Sequence, residues 1–93
     1  MIIRQAARAG TMESSDISVS VFPGGQGIEI TLTSPVERQY GASIRASIRQ
    51  VAEELGVEAA VIAAVDHGAL DCTIRARTEA ALRRGAAGGE GTE

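Results

Sequence analysis

The sequence is notable first for what it lacks. It contains no tryptophan, lysine or asparagine, and only one cysteine, one tyrosine and one phenylalanine. Because aromatic residues make up only 2% of the chain, we expect a core of valine, isoleucine, leucine and alanine. The single cysteine, Cys72, excludes an internal disulfide and is typical of a reducing compartment. With no long apolar run and no secretory leader pattern, we predict a cytoplasmic protein that does not contact membranes.

Size and charge limit the function further. At 93 residues the chain is predicted to form one domain, and its 44% hydrophobic content is ordinary for a globular protein. The formal net charge of −3, with arginine as the only fully basic residue type, argues against nucleic-acid binding.

Two alternating segments predict strands. Apolar residues recur at every second position over 17–21 and again over 28–32, with Ser, Thr and Glu between them. Proline and three glycines separate the two segments at residues 23–27, so we predict an antiparallel hairpin with a glycine-rich connection. Residues 1–13 show no periodicity and are predicted to be an irregular lead-in.

The following segment predicts a long helix and then a buried strand. Ser34, Pro35 and Glu37 match a capping box, and Gly56 matches a helix C-terminus. The predicted apolar stripe between them consists of Val36, Tyr40, Ile44, Ile48, Val51, Ala52 and Leu55. The nearly continuous apolar run over 57–65 predicts a strand that is central in the sheet and buried on both faces.

Residues 69–77 fit a strand or a helix, because the apolar positions satisfy both periods. The Ala- and Arg-rich continuation favours a helix that ends at Gly85, followed by a disordered tail over 85–93. The fold class is therefore predicted as α+β: a small two-layer domain over 1–84 in β-β-α-β-α order. In it, a three-stranded mixed sheet packs against the long helix and a C-terminal helix.

Several residues that carry reactive groups have simpler structural explanations. Cys72 lies in an apolar-periodic segment and is predicted to be a small buried hydrophobic residue. Asp66, His67 and Asp71 form weak evidence for a general-base pair or a metal site, and a turn with a helix-capping aspartate explains them better. The loop at 23–27 lacks the lysine of a phosphate-binding loop. We therefore predict no catalytic residue and no metal ligand.

Two motifs carry a family resemblance. Residues 9–16 read Ala-Gly-Thr-Met-Glu-Ser-Ser-Asp, and residues 66–77 read Asp-His-Gly-Ala-Leu-Asp-Cys-Thr-Ile-Arg-Ala-Arg. Together they make the chain resemble the acyl carrier (gamma) subunit of citrate lyase, whose attachment motif has the form Ala-Gly-Thr-Leu-Glu-Ser. The matching residue is Ser14, in an attachment loop near 9–16. Ser15 is a second hydroxyl where many members carry glycine, and the alignment selects Ser14.

The resemblance implies a non-catalytic carrier that functions in citrate fermentation. Ser14 would hold 2'-(5''-phosphoribosyl)-3'-dephospho-CoA in phosphodiester linkage, and the terminal thiol of this arm would carry acetyl and citryl thioesters. The implied partners are the alpha and beta subunits of citrate lyase, the prosthetic-group transferase (holo-carrier synthase) and an acetate:thiol ligase. Two alternatives remain: the carrier of a related complex such as malonate decarboxylase, and a non-carrier subunit-interaction module.

The charged residues of the two motifs also carry expectations. Glu13 and Asp16 would repel a phosphate-bearing donor that approaches Ser14. Arg75 and Arg77 could be solvated helix charges in ordinary ion pairs that contribute little to stability. A functional alternative is that they dock the large subunits or contact the phosphates of the arm, because guanidinium groups match phosphate geometry well.

Overall fold

The computed structural model describes residues 1–87, which form a four-stranded sheet packed against two helices. The elements are β1 (Ala7–Ala9), β2 (Ile17–Phe22), β3 (Ile28–Thr33), α1 (Glu37–Glu54), β4 (Ala60–Asp66) and α2 (Asp71–Ala87). The predicted α+β, two-layer class is confirmed. The predicted number of strands is wrong by one, because β1 lies in the segment that we expected to be irregular.

The order of the strands differs from the predicted hairpin. The sheet runs β1-β2-β4-β3, with β2 and β4 antiparallel and β3 and β4 parallel. Strand β4 therefore separates the two segments that the alternation pattern had joined. The glycine-rich connection over 23–27 crosses the start of β4, where the Gly27 carbonyl accepts the Ala60 N–H at 3.0 Å. In this order the apolar strand β4 is paired on both of its edges, whereas a β2–β3 hairpin would have left one edge of β4 unpaired.

The first residues are held by contacts with distant parts of the chain. Ala9 is buried and pairs with Val19 in the β1–β2 ladder. Ile3 is also buried, and the Gly85 carbonyl accepts the N–H groups of Arg4 and Gln5. The segment has no local periodicity, so its order comes from tertiary contacts alone.

Helix α1 follows the prediction except at its start. It begins at Glu37, and the Ser34 hydroxyl accepts the Val36 N–H at 3.2 Å. The reciprocal half of the predicted capping box is absent, since Glu37 pairs with Arg45 at 2.9 Å. The helix ends as predicted, with Gly56 at a φ of +74°.

The core lies between the helices and one face of the sheet. Its largest fully buried aliphatic side chains are Ile17, Ile48, Ile62, Leu82, Val19 and Val21. Burying each of these contributes about 1.5–3 kcal/mol. Strand β4 is central, as predicted, but its residues alternate between buried and half-buried, so only one of its faces is fully covered.

Helix α2 confirms the helical alternative for the second motif but continues past Gly85 to Ala87. Gly85 is buried within the helix, and a Cβ there would lie 3.1 Å from both Ile3 Cγ2 and Val21 Cγ2. This glycine therefore permits close packing and does not terminate the helix. The predicted tail is wrong for 85–87, and its remainder, 88–93, lies outside the described residues. Neither helix of the described chain is long and apolar enough to cross a membrane.

Candidate functional site

Ser14 lies on the loop that joins β1 to β2, which we call the Ser14 loop (residues 10–16). The loop lies at the end of the sheet where β4 finishes, as its contacts with His67 show. Residues 11–15 are exposed. Within residues 1–87, no hydrogen bond engages the Ser14 hydroxyl, so this primary alcohol is exposed to solvent.

The loop departs from β1 through a backbone position that only glycine can occupy. Gly10 has a φ of +97°, and a Cβ on it would lie 1.8 Å from the Ile17 carbonyl oxygen. The loop therefore turns back tightly against the first residue of β2. Any side chain at this position would push the loop away from the strand.

The other side of the loop is tied to the end of β4. Ser15 has a φ of +67°, a left-handed conformation that is uncommon for residues other than glycine. Its N–H donates to the His67 carbonyl at 2.7 Å, and the His67 N–H donates to the Asp16 carbonyl at 2.8 Å. Because Ser15 is locked to the sheet by its backbone, Ser14 is the last residue before the chain becomes fixed.

The buried carboxylate of Asp16 holds the loop together through hydrogen bonds. It accepts hydrogen bonds from the Thr11 N–H and hydroxyl at 3.0 and 2.7 Å, and from the Ile17 N–H at 2.7 Å. The Arg77 guanidinium completes this set with two bonds, 3.0 Å from Nε and 2.9 Å from a terminal nitrogen. Residue Asp16 is only 8% exposed. The bonds from Arg77 first, and then those from Thr11 and Ile17, hold the pKa of Asp16 well below its usual range.

This arrangement corrects the expected repulsion beside Ser14. The Asp16 charge is compensated by Arg77 and faces inward, so it does not oppose a phosphate-bearing donor. Glu13 remains exposed on the loop. Of the two carboxylates that we expected to repel a phosphate-bearing donor, only the exposed one of Glu13 is therefore left without a paired cation among the described residues.

The two arginines of the second motif have different roles. Arg77 donates two hydrogen bonds to the largely buried carboxylate of Asp16. Such a charged two-point pair is stronger than the exposed ion pair that the sequence suggested for Arg77. Arg75 pairs with Asp71 at 2.8 Å, one turn earlier on α2, and also donates to Gln50 on α1. The Ser47 hydroxyl also donates to Asp71, and the bonds from Ser47 first, and then from Arg75, lower the pKa of Asp71.

The segment from Asp66 to Asp71 forms a turn, as predicted. One carboxylate oxygen of Asp66 accepts the Ala69 N–H at 2.9 Å, and the other accepts the Ser34 hydroxyl at 2.8 Å. The predicted helix-capping aspartate is wrong: Asp71 is the first residue of α2, and its carboxylate bonds to Ser47 and Arg75 and not to a backbone N–H of the described helix. No group of three or more His, Cys, Asp or Glu residues in the described part of the chain is arranged to hold a metal ion. His67 has a buried Nε2 with no hydrogen-bond partner among residues 1–87.

A groove of about 340 Å³ lies beyond this turn, between the first turns of α1 and α2. Its apolar lining comes from Val36, Tyr40, Ile44, Ala69 and Ile74, and its polar lining from Ser43, Asp66, Gly68 and Asp71. Tyr40 was predicted to face the core, but it is 59% exposed and stands at this groove. The predicted apolar stripe is therefore wrong at this position.

Cys72 does not behave as predicted. It is exposed on the first turn of α2, because the apolar face of this helix is set by Ile74, Thr78, Ala81 and Leu82. The alternating pattern that suggested burial belonged to the strand alternative.

Sequence reasoning missed the residues that support Ser14. The sequence alone presents Asp16 as a charge near Ser14, and Arg77 as a solvated helix charge or a contact for partner subunits or phosphates; it does not pair the two. Gly10 was recognised as part of the attachment motif but not as a point of backbone contact. The one available signal was the joint presence of an acid in the first motif and arginines in the second.

Comparisons with known proteins show which family the chain resembles. A family model described as malonate decarboxylase delta subunit (MdcD) matches residues 4–85. A citrate lyase acyl carrier protein of Streptococcus equi subsp. equi is 55% identical over 87 residues, which cover 92% of this chain and 85% of the relative. One from Halothermothrix orenii is 47% identical over 93 residues, covering 100% and 99% of the two chains.

A solved structure shares the fold. A chain of a Pseudomonas malonate decarboxylase hetero-tetramer, crystallised in complex with malonate, superposes with a TM-score of 0.75. The match covers 90% of this chain and 87% of that one, at 23% sequence identity. With sequence relatives this similar over nearly its whole length, the chain belongs to the family of citrate lyase acyl carrier proteins.

Proposed function

We propose that this chain is the acyl carrier subunit of a citrate lyase and that Ser14 is the point at which its prosthetic arm is attached. The observation that carries the proposal is the state of Ser14, an exposed hydroxyl in no internal hydrogen bond, next to a residue locked onto the sheet. A transferase can reach such a hydroxyl without unfolding any element. The covalent attachment then has a firm base.

The residues around Ser14 fit a 2'-(5''-phosphoribosyl)-3'-dephospho-CoA arm. The new phosphodiester would add negative charge beside the loop, and Asp16 is already neutralised by Arg77, which limits the repulsion. The arm would supply a thiol that carries acetyl and citryl groups as thioesters. The chain itself would position this thiol for the active sites of its partners.

Tethering explains how a non-catalytic subunit contributes to the reaction. A thioester fixed to Ser14 meets the partner active sites as an intramolecular group, at an effective concentration in the millimolar range for a short flexible tether. The two ties of the loop, Gly10 against Ile17 and Ser15 against His67, prevent the base of the arm from drifting. Alpha and beta lyase subunits, a transferase and an acetate:thiol ligase are the partners that this role requires.

Intact-mass measurement of the protein from its native host tests the attachment. We expect a phosphate-containing adduct on the wild type that is lost in Ser14→Ala and kept in Ser15→Ala. Protein from a host without the transferase serves as the unmodified standard. Retention of the adduct in Ser14→Ala, or a bare mass in cells whose citrate lyase is active, would contradict the proposal.

A malonate decarboxylase carrier is the second candidate. The family-model description and the solved hetero-tetramer favour it, whereas the 47–55% identity with citrate lyase carriers favours the first. The complex isolated with this chain distinguishes the two. Citrate-dependent formation of oxaloacetate supports the first candidate, and malonate-dependent release of carbon dioxide supports the second.

A further inference from the structure

The groove between α1 and α2 lies on the other side of the turn that anchors the Ser14 loop. Asp66 and Gly68 line the groove, and His67, between them, exchanges backbone hydrogen bonds with Ser15 and Asp16. A prosthetic arm attached to Ser14 would therefore begin only a few residues from the groove. Its volume of about 340 Å³ lies within the range of about 300–1,000 Å³ typical of ligand pockets.

The lining of the groove is mainly apolar. Ile44 and Ile74 form its floor as buried residues, and the Tyr40 ring stands exposed beside them. Tyr40 is 59% exposed as a residue, and covering its aromatic ring with an apolar group is favourable. The site suits a narrow, uncharged and largely apolar ligand.

Charge narrows the choice of ligand. Asp71 is compensated by Arg75, but Asp66 accepts bonds only from the Ser34 hydroxyl and the Ala69 N–H within the described residues. Asp66 is buried, and it places at the groove a carboxyl group that has no cationic partner among the described residues. A phosphate or an acyl group with free carboxylates is repelled there, whereas a neutral acyl group is not.

We infer that this groove shelters the thioester end of the Ser14-linked arm while it carries acetyl, and releases it when the acyl group carries carboxylates. The inference rests on the proposed function, which supplies the arm. Acetyl is neutral and small, so its thioester can lie against Ile44, Ile74 and Tyr40 away from water. The citryl group retains carboxylates that Asp66 disfavours, so exchange of acetyl for citryl frees the arm for the cleaving subunit.

The first test uses Tyr40 as a reporter. It is the only tyrosine and the chain has no tryptophan, so its emission arises from the groove alone. We expect acrylamide to quench this emission about twofold less in the acetyl-loaded full chain than in the apo chain. A chain loaded with succinyl, a carboxylate-bearing probe, should be quenched like the apo chain. Equal quenching of apo and acetyl-loaded protein, or equal protection by both acyl groups, would overturn the inference.

The second test fills the groove. Ser43 lines it from the exposed surface of α1, and Ala46 is exposed on the same helix but does not line it. We expect hydroxylamine to cleave the acetyl thioester at least about threefold faster in Ser43→Trp than in wild type or Ala46→Trp. Equal rates in the two variants would overturn the inference.

Intact-mass measurement distinguishes a failure of the sheltering from a failure of the carrier function. An adduct on Ser14 without groove protection would refute the sheltering alone and leave the carrier function standing. A chain that never gains an adduct on Ser14 in its native host would refute the carrier function and the sheltering with it.

Discussion

The Arg77 guanidinium donates hydrogen bonds to both carboxylate oxygens of Asp16, which lies 61 residues away in the sequence. One partner lies at the end of the Ser14 loop and the other on α2, so the pair links the proposed attachment point to the second sequence motif. Thr11 and Ile17 bond to the same carboxylate. The two motifs of the family therefore meet at one buried acid.

Replacing Arg77 by lysine should loosen the Ser14 loop. Lysine retains the charge but cannot form the two-point pair, so the bonds that Asp16 accepts from the loop become less well ordered. We expect amide hydrogen exchange at Thr11 and Ile17 to rise by about tenfold, as measured by NMR. Arg75→Lys is the control, because its pair with Asp71 is exposed and lies outside the loop. Similar exchange in both variants would contradict this role of Arg77.

Acid should weaken the protein partly through Asp16. The folded-state pKa of this carboxyl lies below its unfolded value of about 3.8, so its contribution to stability is complete well above that value. The contribution is lost as pH falls through the folded pKa. We expect Asp16→Asn to be less stable than wild type at about pH 7, and the difference to shrink as pH falls to about 2. Urea unfolding followed by circular dichroism measures it; a difference that is independent of pH would contradict the assignment.

Gly10 and Gly24 offer a matched pair of glycine substitutions. Both have positive φ, but a Cβ on Gly10 meets the Ile17 carbonyl at 1.8 Å, and one on Gly24 meets nothing within 4 Å. We expect Gly10→Ala to lower the free energy of unfolding by more than about 3 kcal/mol, because the backbone must shift. Gly24→Ala should lower the free energy of unfolding by about 1 kcal/mol, because only the left-handed backbone conformation is unfavourable for alanine there. Chemical denaturation of both variants measures the difference, and equal losses would refute the close approach of Gly10.

Ser15→Gly should stabilise the protein. Ser15 has a φ of +67°, which glycine adopts without steric cost, so we expect a gain of about 1 kcal/mol in the free energy of unfolding. Ser14 is not in the left-handed region, and Ser14→Gly should instead lower stability by a few tenths to about 1 kcal/mol. Thermal or urea unfolding of the two variants provides the comparison. A loss in Ser15→Gly would show that its backbone is not strained.

The individual elements were largely predictable from local patterns. Period-two alternation located β2 and β3, and an apolar stripe with Gly56 behind it located α1. The pairing of the strands was not predictable, because alternation shows which residues of a strand face the core but not which strand lies beside it. The short β1 was missed because Ala7, Arg8 and Ala9 carry no strand signal of their own; pairing with β2 orders them.

The candidate site divides in the same way. Ser14 was identified from a motif of adjacent residues, which a sequence can display. Gly10 against Ile17 and Asp16 against Arg77 are contacts between backbone or side-chain atoms brought together by the fold, and the second joins residues 61 positions apart. Cys72 and Tyr40 were assigned to the core by periodicity and lie outside it, since the choice of buried face depends on the neighbouring helix.

By itself the sequence determined the class of the fold, the long first helix, the family and the serine that we propose as the attachment point. These depend on neighbouring residues and on periods of a few residues, which are local properties of the chain. Only the tertiary structure decided the strand order, the support of the Ser14 loop and the groove beside it. Each of these depends on contacts between distant residues, which form because burying β4 and pairing Asp16 with Arg77 stabilise one arrangement of the elements over the others.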